Sequence, residues 1–258
     1  MITQKTTKLI KSLHQKKYRY RHGLFLVEGA KSVLELLGSS FKIKTLAATK
    51  LFLQTHHKLL IRAKDCPVLE MDEPALSSLS SFKHNQSALA VVAIPSVVAV
   101  PPTAGTYTLA LDDVSDPGNL GTILRIADWY GVRQVVCSST TTDVYAPKVV
   151  SASMGSFLRV SVAYTDLSAY LHKTDGPVYG AVLDQGASVH GFVPPRPGGV
   201  IVLGNESVGI RAALRPSINQ YLHIPRYGQA ESLNVGVATA VICDNLMRTS
   251  RSSYEQLP

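Results

Sequence analysis

Residues 107–137 read YTLALDDVSDPGNLGTILRIADWYGVRQVVC. An apolar run from Tyr107 to Leu111 leads into a polar turn. Apolar residues then recur at helical spacing (Leu120, Ile123, Leu124, Ala127), and a second apolar run ends at Cys137. Strand, helix, strand at these lengths is the unit that joins parallel strands, since a parallel return needs a crossover helix. The alternation continues through strands FLRVSV, PVYGAVL, GVIVLG and QYLHI and helices APKVVSASMG, TDLSAYLHK and LNVGVATAVICDNLMR. Residues 107–258 are therefore expected to form an α/β domain, a mostly parallel sheet with helices on both faces.

Upstream, IPSVVAVPPTAG (Ile94 to Gly105) contains three prolines, which can continue neither a ladder nor a helix interior. Residues 98–106 read as a linker. Residues 1–97 mix helical patterns (Leu9, Ile10, Leu13; KSVLELL; HHKLLIRA; EPALSSLS) with strand-like FLVEG, FKIKTLAAT, PVLEMD and ALAVVAI, which predicts a smaller α/β domain.

Charge separates the same two regions. Residues 1–97 carry 15 Lys and Arg against 6 acids, whereas residues 98–258 carry 11 against 12. Between Lys5 and His22 stand seven cations, no acid, and the aromatics Tyr18 and Tyr20. A solubilising face usually mixes signs, so this stretch points to a phosphate backbone, with Lys16, Lys17, Arg19 and Arg21 as candidate RNA contacts. The ordinary alternative is a solvated helix face.

The composition, 45% hydrophobic and 17% charged, excludes a disordered chain. The three cysteines show no C-x-x-C spacing, so neither a zinc site nor a disulfide framework is expected. No apolar window of membrane-spanning length and no signal-type apolar segment occurs, and a cytoplasmic protein with no membrane partner is expected. There is no G-x-G-x-x-G, no G-x-x-x-x-G-K-[ST] and no H-E-x-x-H. GNESVG (Gly204 to Gly209) differs from the G-x-S-x-G elbow, which leaves a hydrolase built on Ser207 as a weak rival.

Three polar turns instead follow strand ends: 111–132, 200–210 and 224–248. In open α/β sheets ligands sit at the carboxyl ends of strands, so these turns could line one pocket. Each residue has an ordinary reading too. Asn119 could cap the helix that follows it, Arg125 could be a plain exposed arginine, Glu206 and Asn234 could be caps, and Ser232 a loop residue.

Taken together, Asn119, Gly121 and Arg125 (N-x-G-x-x-x-R), then Gly204, Asn205, Glu206 and Gly209 (G-N-E-x-x-G), then Ile224, Pro225, Ser232, Leu233, Asn234 and Val235 (I-P with S-L-N-V) resemble the three motifs of the SpoU (TrmH) family of RNA ribose 2′-O-methyltransferases. The resemblance covers about residues 107–248, and the N-terminal third resembles, more loosely, the substrate-binding domain of ribosomal-RNA members.

The resemblance implies a C-terminal deep trefoil knot and S-adenosylmethionine as cofactor. It implies a homodimer through the knotted domain, which the largely apolar last helix also suggests. The implied cofactor contacts are Leu203, Gly204, Asn205, Glu206, Ile224, Pro225, Ser232, Leu233 and Asn234, and the catalytic set is Arg125 with Asn119, Glu206, Ser232 and Asn234. Arg125 could serve as base, or could fix a phosphate and stabilise the developing alkoxide; a free guanidinium titrates above about 12, so a base role needs a large depression. Lys148, Ser153 and Gly155 match relatives, whereas Ser151 stands where many have arginine; Lys148 joins the RNA candidates. Ribosomal RNA, of the large subunit, is the expected substrate. Transfer RNA, and a non-catalytic RNA-binding protein with the same fold, remain alternatives.

Overall fold

The computed structural model describes residues 2–61 and 66–254. The chain divides into two compact units, Met1–Ser96 with Asp143–Leu158, and Val97–Thr142 with Arg159–Pro258. Two boundaries differ from the reading of the sequence. Val97 and Ala99 pack against the core of the second unit, and the Gln134 side chain bonds both the Val98 carbonyl and the Val100 amide. The start of the proline-rich stretch thus belongs to a domain. Asp143–Leu158, expected in the catalytic domain, belongs to the first unit, so Lys148 does too.

In the first unit the order is α1 (Gln4–Ser12), α2 (Lys16–His22), β1 (Leu24–Glu28), α3 (Ala30–Leu37), β2 (Ile43–Ala48), α4 (Lys50–Thr55), α5 (His57–Leu60), β3 (Val68–Glu70), α6 (Glu73–Leu79) and β4 (Ala88–Ala93). Helix starts are set by side chains: Thr3, Thr49 and Asp72 each accept an amide of the first turn. Gly23, at φ 62, ends α2 in the left-handed conformation that glycine adopts without strain. The segment KKYRYRH is therefore the helix α2. The helix read over 56–63 is the shorter α5, and positions 62–63 lie outside the described residues. The sheet runs β1-β4-β2-β3, with β4 antiparallel to both neighbours and β2 parallel to β3. Ile10, Leu13, Leu26, Leu76, Leu79 and Leu89 share the core beneath it.

Arg19 departs from its expected role. It is 3% exposed; its Nε and Nη2 donate to Asp143 Oδ2 at 2.9 and 2.5 Å, and its Nη1 donates to the carbonyls of Leu13 and His14. The Tyr20 hydroxyl donates to the other Asp143 oxygen at 3.0 Å. Four of the five guanidinium N–H groups are engaged inside the fold, so Arg19 is a buried structural cation rather than a contact for RNA. Lys16, Lys17, Arg21 and Lys148 are exposed, as that role requires.

In the second unit the elements are β5 (Tyr107–Leu111), α7 (Pro117–Trp129), β6 (Gln134–Cys137), β7 (Ser161–Tyr164), α9 (Leu167–His172), β8 (Val178–Val182), β9 (Ala187–Ser188), β10 (Gly199–Leu203), β11 (Gln220–His223) and α10 (Val235–Tyr254); α8 (Pro147–Ala152) lies in the first unit. The seven strands run β7-β6-β5-β10-β8-β11-β9, and every pairing is parallel. β5 and β10 are buried along their whole lengths, as a sheet covered on both faces demands. From β5 the chain moves outward through β6 and β7, while β10 and the remaining strands lie on β5's other side. The order reverses between β5 and β10, the place in an open α/β sheet where loops at strand carboxyl ends gather around a ligand.

Candidate active site

Three loops meet at this switch point. The first leaves β5 and enters α7. Asp116, not Asn119, caps that helix, its Oδ1 accepting the Asn119 amide at 2.8 Å. Asn119 sits in the first turn with its side chain free for other work. It donates through Nδ2 to Glu206 Oε1 at 2.7 Å and accepts from Asn234 Nδ2 at 2.8 Å. A chain of two hydrogen bonds thus joins all three motifs. Glu206 is accordingly no cap, whereas Asn234 is one as well: its Oδ1 accepts the Gly236 amide at 2.9 Å while its amide holds Asn119.

The second loop, Gly204 to Ile210, leaves β10 and folds back on itself. Asn205 and Gly209 exchange backbone hydrogen bonds of 3.2 and 2.8 Å, and Asn205 Oδ1 accepts the amides of Ser207 and Val208. A Cβ on Gly204 would lie 2.2 Å from the Gly209 carbonyl carbon, and Gly209 has φ 73, so two glycines are needed for this turn. Asp112 and Asp113, just past β5, tie the loop down. Asp112 is fully buried and bonds the Arg211 backbone amide and guanidinium. Asn205 Nδ2 donates to the Asp113 carbonyl at 2.9 Å. Hydrogen bonding to Asp112 raises the Arg211 pKa above its ordinary value, with burial opposing it.

The second and third loops and the end of β8 enclose a cleft of about 710 Å³, within the range of small-molecule sites. Leu203, Gly204, Asn205, Glu206, Ile224, Pro225, Ser232 and Leu233 line it, as read from the sequence. Asn119, Arg125 and Asn234 do not. Asn234 lies between the lining residues Leu233 and Val235, its side chain engaged by Asn119 and the start of α10. Arg125, on α7, is exposed, and no hydrogen bond or ion pair engages its guanidinium among the described residues. The sequence reading missed Leu183, Asp184 and Gln185 after β8, Arg215, and the loop residues Arg226 and Tyr227, the last 92% exposed. The position of Leu183 to Gln185 at a strand's carboxyl end was the available signal.

The hydrolase alternative lacks support. Among the described residues no histidine or acid is hydrogen-bonded to the Ser207 hydroxyl, as activation of a serine nucleophile requires. Among the described residues no cluster of three or more His, Cys, Asp or Glu could hold a metal, and no helix is long and apolar enough to cross a membrane.

Comparison with known proteins gives this geometry a family. Residues 106–244 match the SpoU rRNA Methylase family, and residues 4–90 match an MRM3-like substrate binding domain. The chain is 33% identical over 242 residues to 23S rRNA (guanosine(2553)-2′-O)-methyltransferase RlmP of Bacillus subtilis, covering 92% of this chain and 93% of the relative. A TrmH-family structure from Porphyromonas gingivalis superposes with a TM-score of 0.84 at 36% identity, covering 96% of this chain and 99% of that one. The AdoMet-bound rRNA methyltransferase of Sinorhizobium meliloti superposes at 0.87 with 28% identity, covering 100% and 97%. With its three motifs joined by hydrogen bonds beside a strand-end cleft, the chain belongs to the SpoU family and is a methyltransferase.

Proposed function

We propose that this protein transfers the methyl group of S-adenosylmethionine to a ribose 2′-hydroxyl of large-subunit ribosomal RNA. The observation that carries the reading is the Asn234–Asn119–Glu206 chain, which joins the polar groups of α7 to the wall of the 710 Å³ cleft. RlmP of Bacillus subtilis, named for 2′-O-methylation of 23S rRNA, supports the substrate class.

The cleft fits the cofactor. Leu203, Ile224 and Leu233 offer apolar surface for a base, the glycine-containing loops offer main-chain donors and acceptors, and Asp184, Glu206 and Glu231 offer negative charge toward a cationic ligand. When bound, S-adenosylmethionine supplies a methyl group already activated on a cationic sulfur. The protein's task is then chiefly alignment. Arg125, with its uncommitted guanidinium, holds a phosphate of the target nucleotide and stabilises negative charge on the 2′-oxygen as its proton passes to solvent water. Asn119 and Asn234 fix Glu206 on the cleft wall.

Lys16, Lys17, Arg21 and Lys148 hold the RNA backbone, and the first unit serves as the substrate-binding domain. The C-terminal chain is inferred to be knotted and the molecule to be a homodimer that uses α7 and α10, where Trp129 is 84% and Val237 49% exposed. On this reading the protein works in the cytoplasm, where its substrate is assembled. Mass-spectrometric mapping of 2′-O-methyl nucleotides in RNA from a deletion strain tests the function. Loss of one methyl from large-subunit rRNA is expected; an unchanged rRNA map, or a methyl lost from transfer RNA instead, overturns it.

A further inference from the structure

We infer that the Asp112–Arg211 ion pair is a positioning element that sets the cofactor-binding conformation of the loop Gly204 to Ile210 before any ligand arrives. The inference rests on the cofactor reading above and concerns two residues outside the three motifs.

The loop has two feet. One is the end of β10, where Leu203 pairs with Leu111 of β5 and its carbonyl accepts the Asp112 amide at 2.8 Å. The other is Arg211, which lies outside any strand or helix. Asp112 takes hold of it by two hydrogen bonds and an ion pair: Oδ2 accepts the backbone amide at 2.9 Å, Oδ1 accepts Nε at 2.6 Å, and Nη2 lies 2.5 Å from Oδ1. The Asp112 side chain is 0% exposed and that of Arg211 48%. A carboxylate buried to that degree is costly unless paired, so the fold holds Asp112 in place for what it binds. The same residue therefore anchors both feet, while its neighbour Asp113, at φ 63, holds Asn205 in between.

What lies between the feet is functional surface. Gly204 to Ile210 all line the cleft, and Glu206 receives the Asn119 amide. Without the Arg211 foot the loop keeps its Asn205–Gly209 closure and its bonds to Asp113 and Asn119, and the remaining freedom of its far end is lost on binding, at a cost in affinity; one clamped at both ends has been ordered by folding. Arginine suits the clamp because its planar fork meets a carboxylate through two donors, a geometry lysine cannot reproduce. Because Arg211 covers Asp112 from the solvent side, its removal admits water to the Asp112 carboxylate and costs less than loss of a pair enclosed on both sides.

The test compares the full-length protein with Arg211→Ala and Arg211→Lys. S-adenosylhomocysteine binding is measured by calorimetry, and amide hydrogen exchange is followed without ligand. Arg211→Ala is expected to bind S-adenosylhomocysteine about tenfold more weakly, with faster exchange at residues 205–209 and unchanged exchange in β5 and β10. Arg211→Lys should regain less than half of that loss. Unchanged affinity or unchanged loop exchange in Arg211→Ala overturns the inference. So does exchange that rises throughout the sheet, which would make the pair a general stabiliser, or full rescue by lysine. If the parent protein itself fails to bind S-adenosylhomocysteine, the cofactor reading falls and this inference with it.

Discussion

The side-chain amide of Asn234 donates to the side-chain carbonyl of Asn119 at 2.8 Å, across 115 residues of chain. Asn119 passes the connection on to Glu206, so its amide group acts as both acceptor and donor between the third and second motifs. Asn234→Asp keeps the oxygen that caps α10 and removes the donor to Asn119. Its helix content should match the parent by circular dichroism, while methyl transfer falls by about 100-fold, the scale set by removing a preorganised polar group. Asn119→Asp should do the same by setting a carboxylate against Glu206. Parental turnover in both variants would reduce the chain to scaffolding.

Arg125 separates alignment from cofactor capture. Its guanidinium is exposed and the cleft lining does not include it. Arg125→Ala should lower single-turnover methyl transfer by about 100-fold or more, with S-adenosylhomocysteine affinity within a factor of about two of the parent. A large loss of affinity would move Arg125 into the cofactor site.

These residues also mark how far the sequence could be read. The strand–helix alternation after residue 106 was legible because burial on both faces leaves near-continuous apolar strands, and every pairing proved parallel. β9, with two residues, is too short to show any period. Asn119 reads as a cap in isolation, although Asp116 before Pro117, three residues earlier, is the local signal for the true cap. Arg19 reads as surface charge because its partner, Asp143, is 124 residues away, and the Asp112–Arg211 pairing is hidden by a separation of 99. Residue type carries chemistry, but burial and long-range pairing decide whether that chemistry faces a ligand or the core.

The basic N-terminal stretch therefore splits into two predicted behaviours. Replacing Lys16, Lys17 and Arg21 together by Ala should weaken RNA binding and flatten its salt dependence, by about 0.7 to 0.9 in slope for each phosphate left without its cation, with the melting temperature held. Arg19→Ala should instead destabilise the protein by about 3 to 5 kcal/mol, because Asp143 is left buried without its counter-charge. Thermal unfolding and filter binding over a salt series distinguish the two. A triple variant with the parent's salt slope would remove these cations from the RNA surface.

Assembly has an equally direct check. Trp129 and Val237, both exposed on the second unit, should become protected if α7 and α10 form the dimer interface. Light scattering at micromolar concentration should give twice the 27.8 kDa chain mass, and Trp129→Glu should shift it toward the single-chain value by setting a charge in the interface. A single-chain mass for the parent protein refutes the dimer.

Tyr145 predicts a loss of stability in alkali. Its side chain is 7% exposed, with its ring 4.6 Å from that of Phe25. Burial first, and the Asp143 carboxylate second, push its pKa up from 10.0 to about 12. The folded protein keeps this phenol neutral after the unfolded chain has begun to ionise, so its contribution is complete below pH 10 and is lost as the pH rises toward 12. A shift of that size corresponds to an upper limit of about 3 kcal/mol. Tyr20 is raised in the same sense by burial and Asp143, and the parent's slope therefore contains more than one group. The difference between parent and Tyr145→Phe isolates this one. Urea unfolding at pH values of about 9, 10 and 11 should show the parent losing stability faster than the phenylalanine variant, and equal slopes would mean that Tyr145 reaches solvent in the folded protein.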